Sequence, residues 1–166
     1  MIAVTGHTSG IGKCIYDRIK CNGFSRANGY NIQHRLDRKK LLSTEPDILI
    51  NNAYCSIGQT LLLLDFFKKY QNTNKTIINI GSRIAERTEN LPDDYQHLLE
   101  YQMYKKTLKM LSDDLAKLNK TVRIKYISFG YVGTDKILQK YPNLEDYIAV
   151  ENAVDQILGL VNEQYL

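Results

Sequence analysis

The sequence predicts an α/β fold, a doubly wound parallel sheet with helices on both faces. Two observations carry this reading. Strand-like apolar runs alternate with helix-periodic stretches along the chain, and the first strand runs directly into a glycine-rich turn that opens the first helix. Alternation of this kind implies parallel strands joined by right-handed crossovers, because each helix must carry the chain back to the same end of the sheet. In such sheets ligands bind beyond the carboxyl ends of the strands, where the strand order reverses. A length of 166 residues suits one domain spanning 1–166, and no internal repeat, low-complexity tract or linker divides it.

The elements follow in order. IAVTG is a short apolar strand ending in glycine, and GKCIYDRIKCNG has helical spacing at Ile11, Cys14, Ile15, Arg18 and Ile19 with a glycine stop at Gly23. GFSRANGYNI reads as two very short extended pieces broken by Gly29, and LDRKKLLS as a small helix halted before Pro46. DILINNA is a buried strand. QTLLLLDFFKKY, Gln59 to Tyr70, is helical in length but apolar on more than one face, so it is expected to be deeply buried or packed on a partner subunit. TIINIGS is another buried strand. A polar stretch then leads into a long helix from about Tyr95 to Leu118, on which Tyr101, Tyr104, Leu108, Leu111, Leu115 and Leu118 recur at steps of three and four. VRIKYISF is the next strand, and IAVENAVDQILGLVNE an amphipathic closing helix with Glu151 near its start.

Composition excludes several function classes. The formal charge of +4 comes from lysines and arginines scattered over the whole length, without the dense basic stripe that nucleic-acid binding needs. Cys14, Cys21 and Cys55 are odd in number and lack ligand spacing, which argues against a disulfide framework and a metal site; they read as small buried hydrophobes in a reducing compartment. No apolar run reaches the roughly 18 residues of a membrane span, and the N-terminus carries no basic leader, so a cytoplasmic protein is expected.

TGHTSGIG, residues 5 to 12, stands where a nucleotide site is expected, between the first strand and the first helix. Glycines there let the backbone approach a pyrophosphate, whose charge the free amides and dipole of the helix N-terminus stabilise. Gly6, Gly10 and Gly12 fit that role, with Thr8, Ser9 and Ile11 between and beside them. A second pattern concerns proton transfer. YQMYK, residues 101 to 105, holds a tyrosine and a lysine one helical turn apart, but YDRIK at 16 to 20 has the same spacing.

Together these residues resemble the short-chain dehydrogenase/reductase family. Its cofactor turn TGxxxGIG matches at every fixed position. NNAY at 51 to 54 matches the family's NNAG, Ser82 follows the strand IINIG, Tyr101 and Lys105 match YxxxK, and Gly130, Val132 and Thr134 match the loop PGxVxT, all in the family's order. That order selects YQMYK, which follows the serine-bearing strand, and leaves Tyr16 and Lys20 as surface and packing residues. The resemblance implies a Rossmann-type sheet binding a nicotinamide dinucleotide. Tyr101 would be the general acid/base, Lys105 would stabilise its phenolate and hold the nicotinamide ribose, and Ser82 would position the substrate oxygen. Asn52 and Ala53 would support the cofactor's adenosine half.

Cofactor choice is expected to lie at the second strand. Arg26, twenty positions beyond Gly6 and preceded by Ser25, suits a 2′-phosphate, which favours NADP(H) over NAD(H). Asn31 would stand where the family has an aspartate touching adenine. The expected substrate is a small carbonyl or alcohol compound, and the expected assembly a homodimer or homotetramer. Three departures are visible. The chain ends where the family's last strand would begin, so the sheet is expected to be truncated at the C-terminus. Tyr54 and Phe129 replace the usual glycine and proline. The asparagine that completes the family's catalytic tetrad has no clear counterpart. A dinucleotide-binding module of the same fold with weak or no catalysis therefore stands as the alternative.

Overall fold

The computed structural model describes residues 1–87, 98–118 and 120–163. Its strands β1 (Ile2–Thr5), β2 (Asn22–Phe24), β3 (Ile48–Asn51), β4 (Thr76–Ser82) and β5 (Arg123–Phe129) pair in parallel in the order β2-β1-β3-β4-β5. The chain moves outward from β1 to β2, then crosses back to β3 on the other side of β1. Strand order therefore reverses between β1 and β3, and their carboxyl ends open the crevice where a ligand is expected.

Both faces of the sheet are covered, which explains the almost unbroken apolar strands. Ala3, Leu49 and Ile77 point into one core with α2 (Arg35–Leu42), α3 (Gly58–Tyr70) and α4 (Leu99–Lys117). Val4, Ile48, Ile50, Ile78 and Ile80 point into the other, against α1 (Gly10–Arg18) and α6 (Val150–Asn162). Ile48, Leu49 and Ile50 are inaccessible to solvent, and each side chain of this kind contributes roughly 1.5 to 3 kcal/mol. The doubly wound α/β expectation holds.

Several local expectations change. The first helix stops at Arg18, and Gly23 belongs to β2. A Cβ on Gly23 would lie 2.3 Å from the His7 ring, so this glycine makes room for the turn after β1 instead of stopping a helix. Of the two extended pieces expected in GFSRANGYNI only the first forms. Residues Arg26–Asn28 make a 3₁₀ turn capped by Ser25, and Gly29 closes it at φ +84°. A short helix, α5 (Asp135–Lys140), appears where none was expected. The expected start of the long helix at Tyr95 lies outside the described residues.

On α3, Leu62, Leu63, Phe66 and Tyr70 are buried while Leu61, Leu64 and Phe67 are half-buried, which accounts for its two apolar faces. Beside it α4 leaves Leu99, Met103 and Met110 exposed. Among the described residues no helix is long and apolar enough to cross a membrane, no three His, Cys, Asp or Glu side chains could hold a metal ion, and the three cysteines are free.

Candidate active site

The glycine turn is built by sterics. Gly6 and Gly10 adopt φ of +74° and +53°, which side-chain-bearing residues rarely tolerate. A Cβ on Gly12 would stand 2.2 Å from the Gly6 carbonyl oxygen, so the first turn of α1 folds directly onto the backbone that precedes it. Two further segments close on this turn. Asn52 Nδ2 and Ala53 lie 3.1 and 3.2 Å from where a Gly6 Cβ would be, and the Thr134 methyl lies 3.1 Å from that of Gly10. Thr5 fixes the first of these contacts: its Oγ1 accepts from the backbone amides of Asn52 and Ala53, both at 2.9 Å, and its carbonyl accepts from Asn52 Nδ2 at 2.9 Å. The Asn52 side chain thus braces the turn from beneath. Exposed Thr8 and Ser9 flank the cradle, Ile11 is half-buried behind it, and α1 has no acidic residue in its first turn to offset its positive end. A backbone cradle that any Cβ would fill, at the start of a helix, fits a pyrophosphate.

The rim beyond β2 is tied to this cradle by the Gly6 amide, which donates to the Phe24 carbonyl at 2.7 Å. Ser25 is buried, and its amide donates to Asn28 Oδ1 at 2.8 Å. Arg26 projects from the 3₁₀ turn and is exposed. The oxygen of Asn31 is committed locally, accepting from the Gln33 amide at 3.0 Å and from Cys55 Sγ at 3.4 Å. In the β5 loop, Val132 is buried and pairs with Ile148, so it can offer a ligand only backbone; Thr134 caps α5 beside Gly10, while Gly130 is exposed.

Ser82, Tyr101 and Lys105 meet across the carboxyl end of β4. Ser82 ends the strand, and its hydroxyl comes near enough to the Tyr101 phenol to act on it although the two are nineteen apart in sequence. Lys105, one turn further along α4, is 4% exposed; its Nζ lies 5.7 Å from the Tyr101 ring centre and the same distance from that of Tyr54. The ammonium donates to Gln59 Oε1 at 2.6 Å and to the Ile80 carbonyl at 3.0 Å. Burial lowers the lysine to about 7, and among the described residues no carboxylate compensates for the lost hydration. The same burial raises the Tyr101 phenol above its ordinary value, with the nearby Ser82 hydroxyl opposing it. This reverses the expectation that the lysine draws the phenol down, since desolvation here acts on both groups.

The competing pair fails on geometry. Helix α1 ends before Lys20, which is exposed, and Tyr16 stacks on His7 with ring centres 4.9 Å apart. Two residues that the sequence reading did not place in the site belong to it. Tyr54 sets its ring edge-on to Tyr101 at 4.9 Å, and Gln59 reaches Lys105 from the first turn of α3. A glutamine just before the apolar run LLLL was the available signal, since a buried amide must find polar partners.

A reversing parallel sheet, a glycine cradle after β1 and a Ser-Tyr-Lys cluster at the end of β4 define a chain with the fold of the short-chain dehydrogenases/reductases. Solved structures agree on the fold. A short-chain dehydrogenase from Burkholderia cenocepacia in complex with NADP superposes with a TM-score of 0.79 at 19% identity, covering 97% of this chain and 83% of that one. A small-chain dehydrogenase in complex with NADPH gives 0.75 at 15% identity, over 99% and 92%. The 3-alpha-hydroxysteroid dehydrogenase of a Pseudomonas species, complexed with NADH, gives 0.69 at 17%, over 99% and 91%. No family model matches the sequence, and no curated protein matches it either.

Proposed function

We propose that this chain is a single-domain oxidoreductase that uses a nicotinamide dinucleotide, NADP(H) in preference to NAD(H), on a small carbonyl or alcohol substrate. The observation that carries the reading is the convergence of Ser82, Tyr101 and Lys105 from two separate elements at the carboxyl end of β4, the same end of the parallel sheet at which the glycine cradle follows β1. That similar folds have been solved with NADP, NADPH and NADH supports the class of cofactor.

The cofactor's pyrophosphate would lie on the amides around Gly10, Ile11 and Gly12, with Gly6 and Thr8 to Ser9 at its edge. Ser25 and Arg26 would face the 2′-phosphate, Asn31 the adenine rim, and Asn52, Ala53, Gly130, Val132 and Thr134 would wall the remainder. When bound, the nicotinamide supplies or takes the hydride. The chain's own part is proton handling. Ser82 orients the substrate oxygen, Tyr101 donates its phenolic proton to that oxygen as charge develops there, and Lys105 anchors the nicotinamide ribose beside the phenol. Hydride and proton together convert a carbonyl to an alcohol, which balances the reaction.

Tyr101→Phe is the test, because it removes the proton while leaving the ring. It is expected to spare NADPH affinity and lower turnover about a hundredfold or more over a panel of aldehydes, ketones and quinones. Tight NADPH binding by a wild type that reduces nothing on the panel would replace the enzyme reading with that of a binding module.

A further inference from the structure

We propose that Gln59 is the positioning residue of the site, holding the Lys105 ammonium in place and setting its charge through the amide oxygen. This rests on reading Lys105 as the partner of Tyr101. The orientation of the Gln59 amide follows from its partners. An ammonium can only donate, so the group 2.6 Å from Lys105 Nζ must be the amide oxygen. The amide nitrogen then faces two carbonyl oxygens, those of Asn51 at 2.8 Å and Ile80 at 3.2 Å, which can only accept. A flipped amide would break all three contacts.

The residue is 2% exposed, and its backbone carbonyl is held from below. Asn51 Nδ2 donates to the Gln59 carbonyl at 2.9 Å and to Asn79 Oδ1 at 2.8 Å, Asn79 Nδ2 donates to Ser112 Oγ at 3.2 Å, and Ser112 returns a bond to the Leu108 carbonyl at 2.8 Å. The network leaves α4 at Lys105, passes through α3, β3 and β4, and re-enters α4 at Ser112. It ties both helices to the sheet at the level of the lysine.

Among the described residues, the groups facing Nζ are Gln59 from α3, the Ile80 carbonyl from β4, the Tyr101 ring from α4 and the Tyr54 ring from the loop after β3. None is a carboxylate. Among the described residues, Gln59 and Ile80 take two of the three N–H bonds of an ammonium. Gln59 thus supplies one of the two polar acceptors that offset burial, and its neutral oxygen leaves the lysine able to gain or lose a proton where a carboxylate would fix the charge.

The experiment follows the ¹³Cε and ¹⁵Nζ resonances of Lys105 against pH in the wild type, Gln59→Met and Gln59→Glu, with folding checked by circular dichroism. Gln59→Met is expected to move the Lys105 midpoint down, and the isosteric Gln59→Glu to move it up, each by about one pKa unit or more. A merely structural glutamine would alter melting without moving either midpoint. Unshifted midpoints in both folded variants overturn the proposal whatever the cofactor does. Parallel NADPH titrations separate the two ideas: shifted midpoints in a protein that binds no NADPH leave Gln59 as proposed and remove the oxidoreductase reading.

Discussion

Replacing Lys105 by methionine removes an ammonium from a site where the lysine is 4% exposed, and keeps a side chain of similar length. Burial depresses this lysine from 10.5 to about 7. The difference is about 3.5 units, which at about 1.36 kcal/mol each is worth roughly 5 kcal/mol at most. Above 10.5 neither the folded nor the unfolded chain holds the proton, and the electrostatic cost of burial vanishes. Between 10.5 and 7 only the unfolded chain holds it, so the folded state loses stability as pH falls, by up to about 1.4 kcal/mol per pH unit. Below 7 both states hold it and the cost stays at its maximum. Lys105→Met abolishes this slope. Urea unfolding of both proteins at about pH 7, 8 and 9 should show wild type gaining roughly 2 kcal/mol relative to the variant across that range. The hydrogen bonds lost to Gln59 and Ile80 add only a constant offset, because whatever they do to the proton affinity of the lysine is already contained in its value of about 7. A stability difference that stays flat from pH 7 to 9 would refute the depressed lysine.

Two further outcomes are expected. Thermal shifts should be larger with NADP(H) than with NAD(H) at equal concentration, and Arg26→Ala should narrow the affinity gap about ten- to a hundredfold by deleting a charge-assisted contact worth roughly 1.5 to 3 kcal/mol; an unchanged ratio would show that Arg26 is only solvated. Leu99, Met103 and Met110 are exposed along α4 beside the half-buried Leu61 and Leu64 of α3, so copies of the chain should pair through these helices; light scattering that reports a monomer at tens of micromolar would contradict this.

Much of the fold was legible because burial on both faces leaves a parallel strand little choice but to be apolar throughout, as ILIN and TIINIGS are. The glycine turn was legible for a related reason: Gly6 and Gly10 are held by φ, and Gly12 by an oxygen that would stand 2.2 Å from any Cβ there, and such constraints mark a sequence at fixed spacing. What escaped depends on contacts across the chain. Gly23 reads as a helix stop until the His7 ring is seen beside it, and Gln59 reads as a polar helix start until it meets Lys105, 46 positions away. The protonation states escaped too, because a Tyr-Lys spacing reveals which groups are neighbours but not how much water each has lost.

That loss of water bears on the direction of catalysis. Burial disfavours the charged form of either group, so it raises the Tyr101 phenol and lowers Lys105 to about 7, and between about 7 and 10 the neutral pair is preferred. On the function proposed above, a neutral phenol is the form that reduction consumes, whereas alcohol oxidation needs the phenolate as base. Near neutrality the protein's own groups are therefore poised for reduction. Initial rates of alcohol oxidation should keep rising through about pH 10, the ordinary phenol value that burial moves upward. Carbonyl reduction should depend far less on pH over the same range. An oxidation rate that levels off near pH 7 would mean that Tyr101 is already ionised there, with a charged Lys105 beside it, and the account of a desolvated neutral pair would fall.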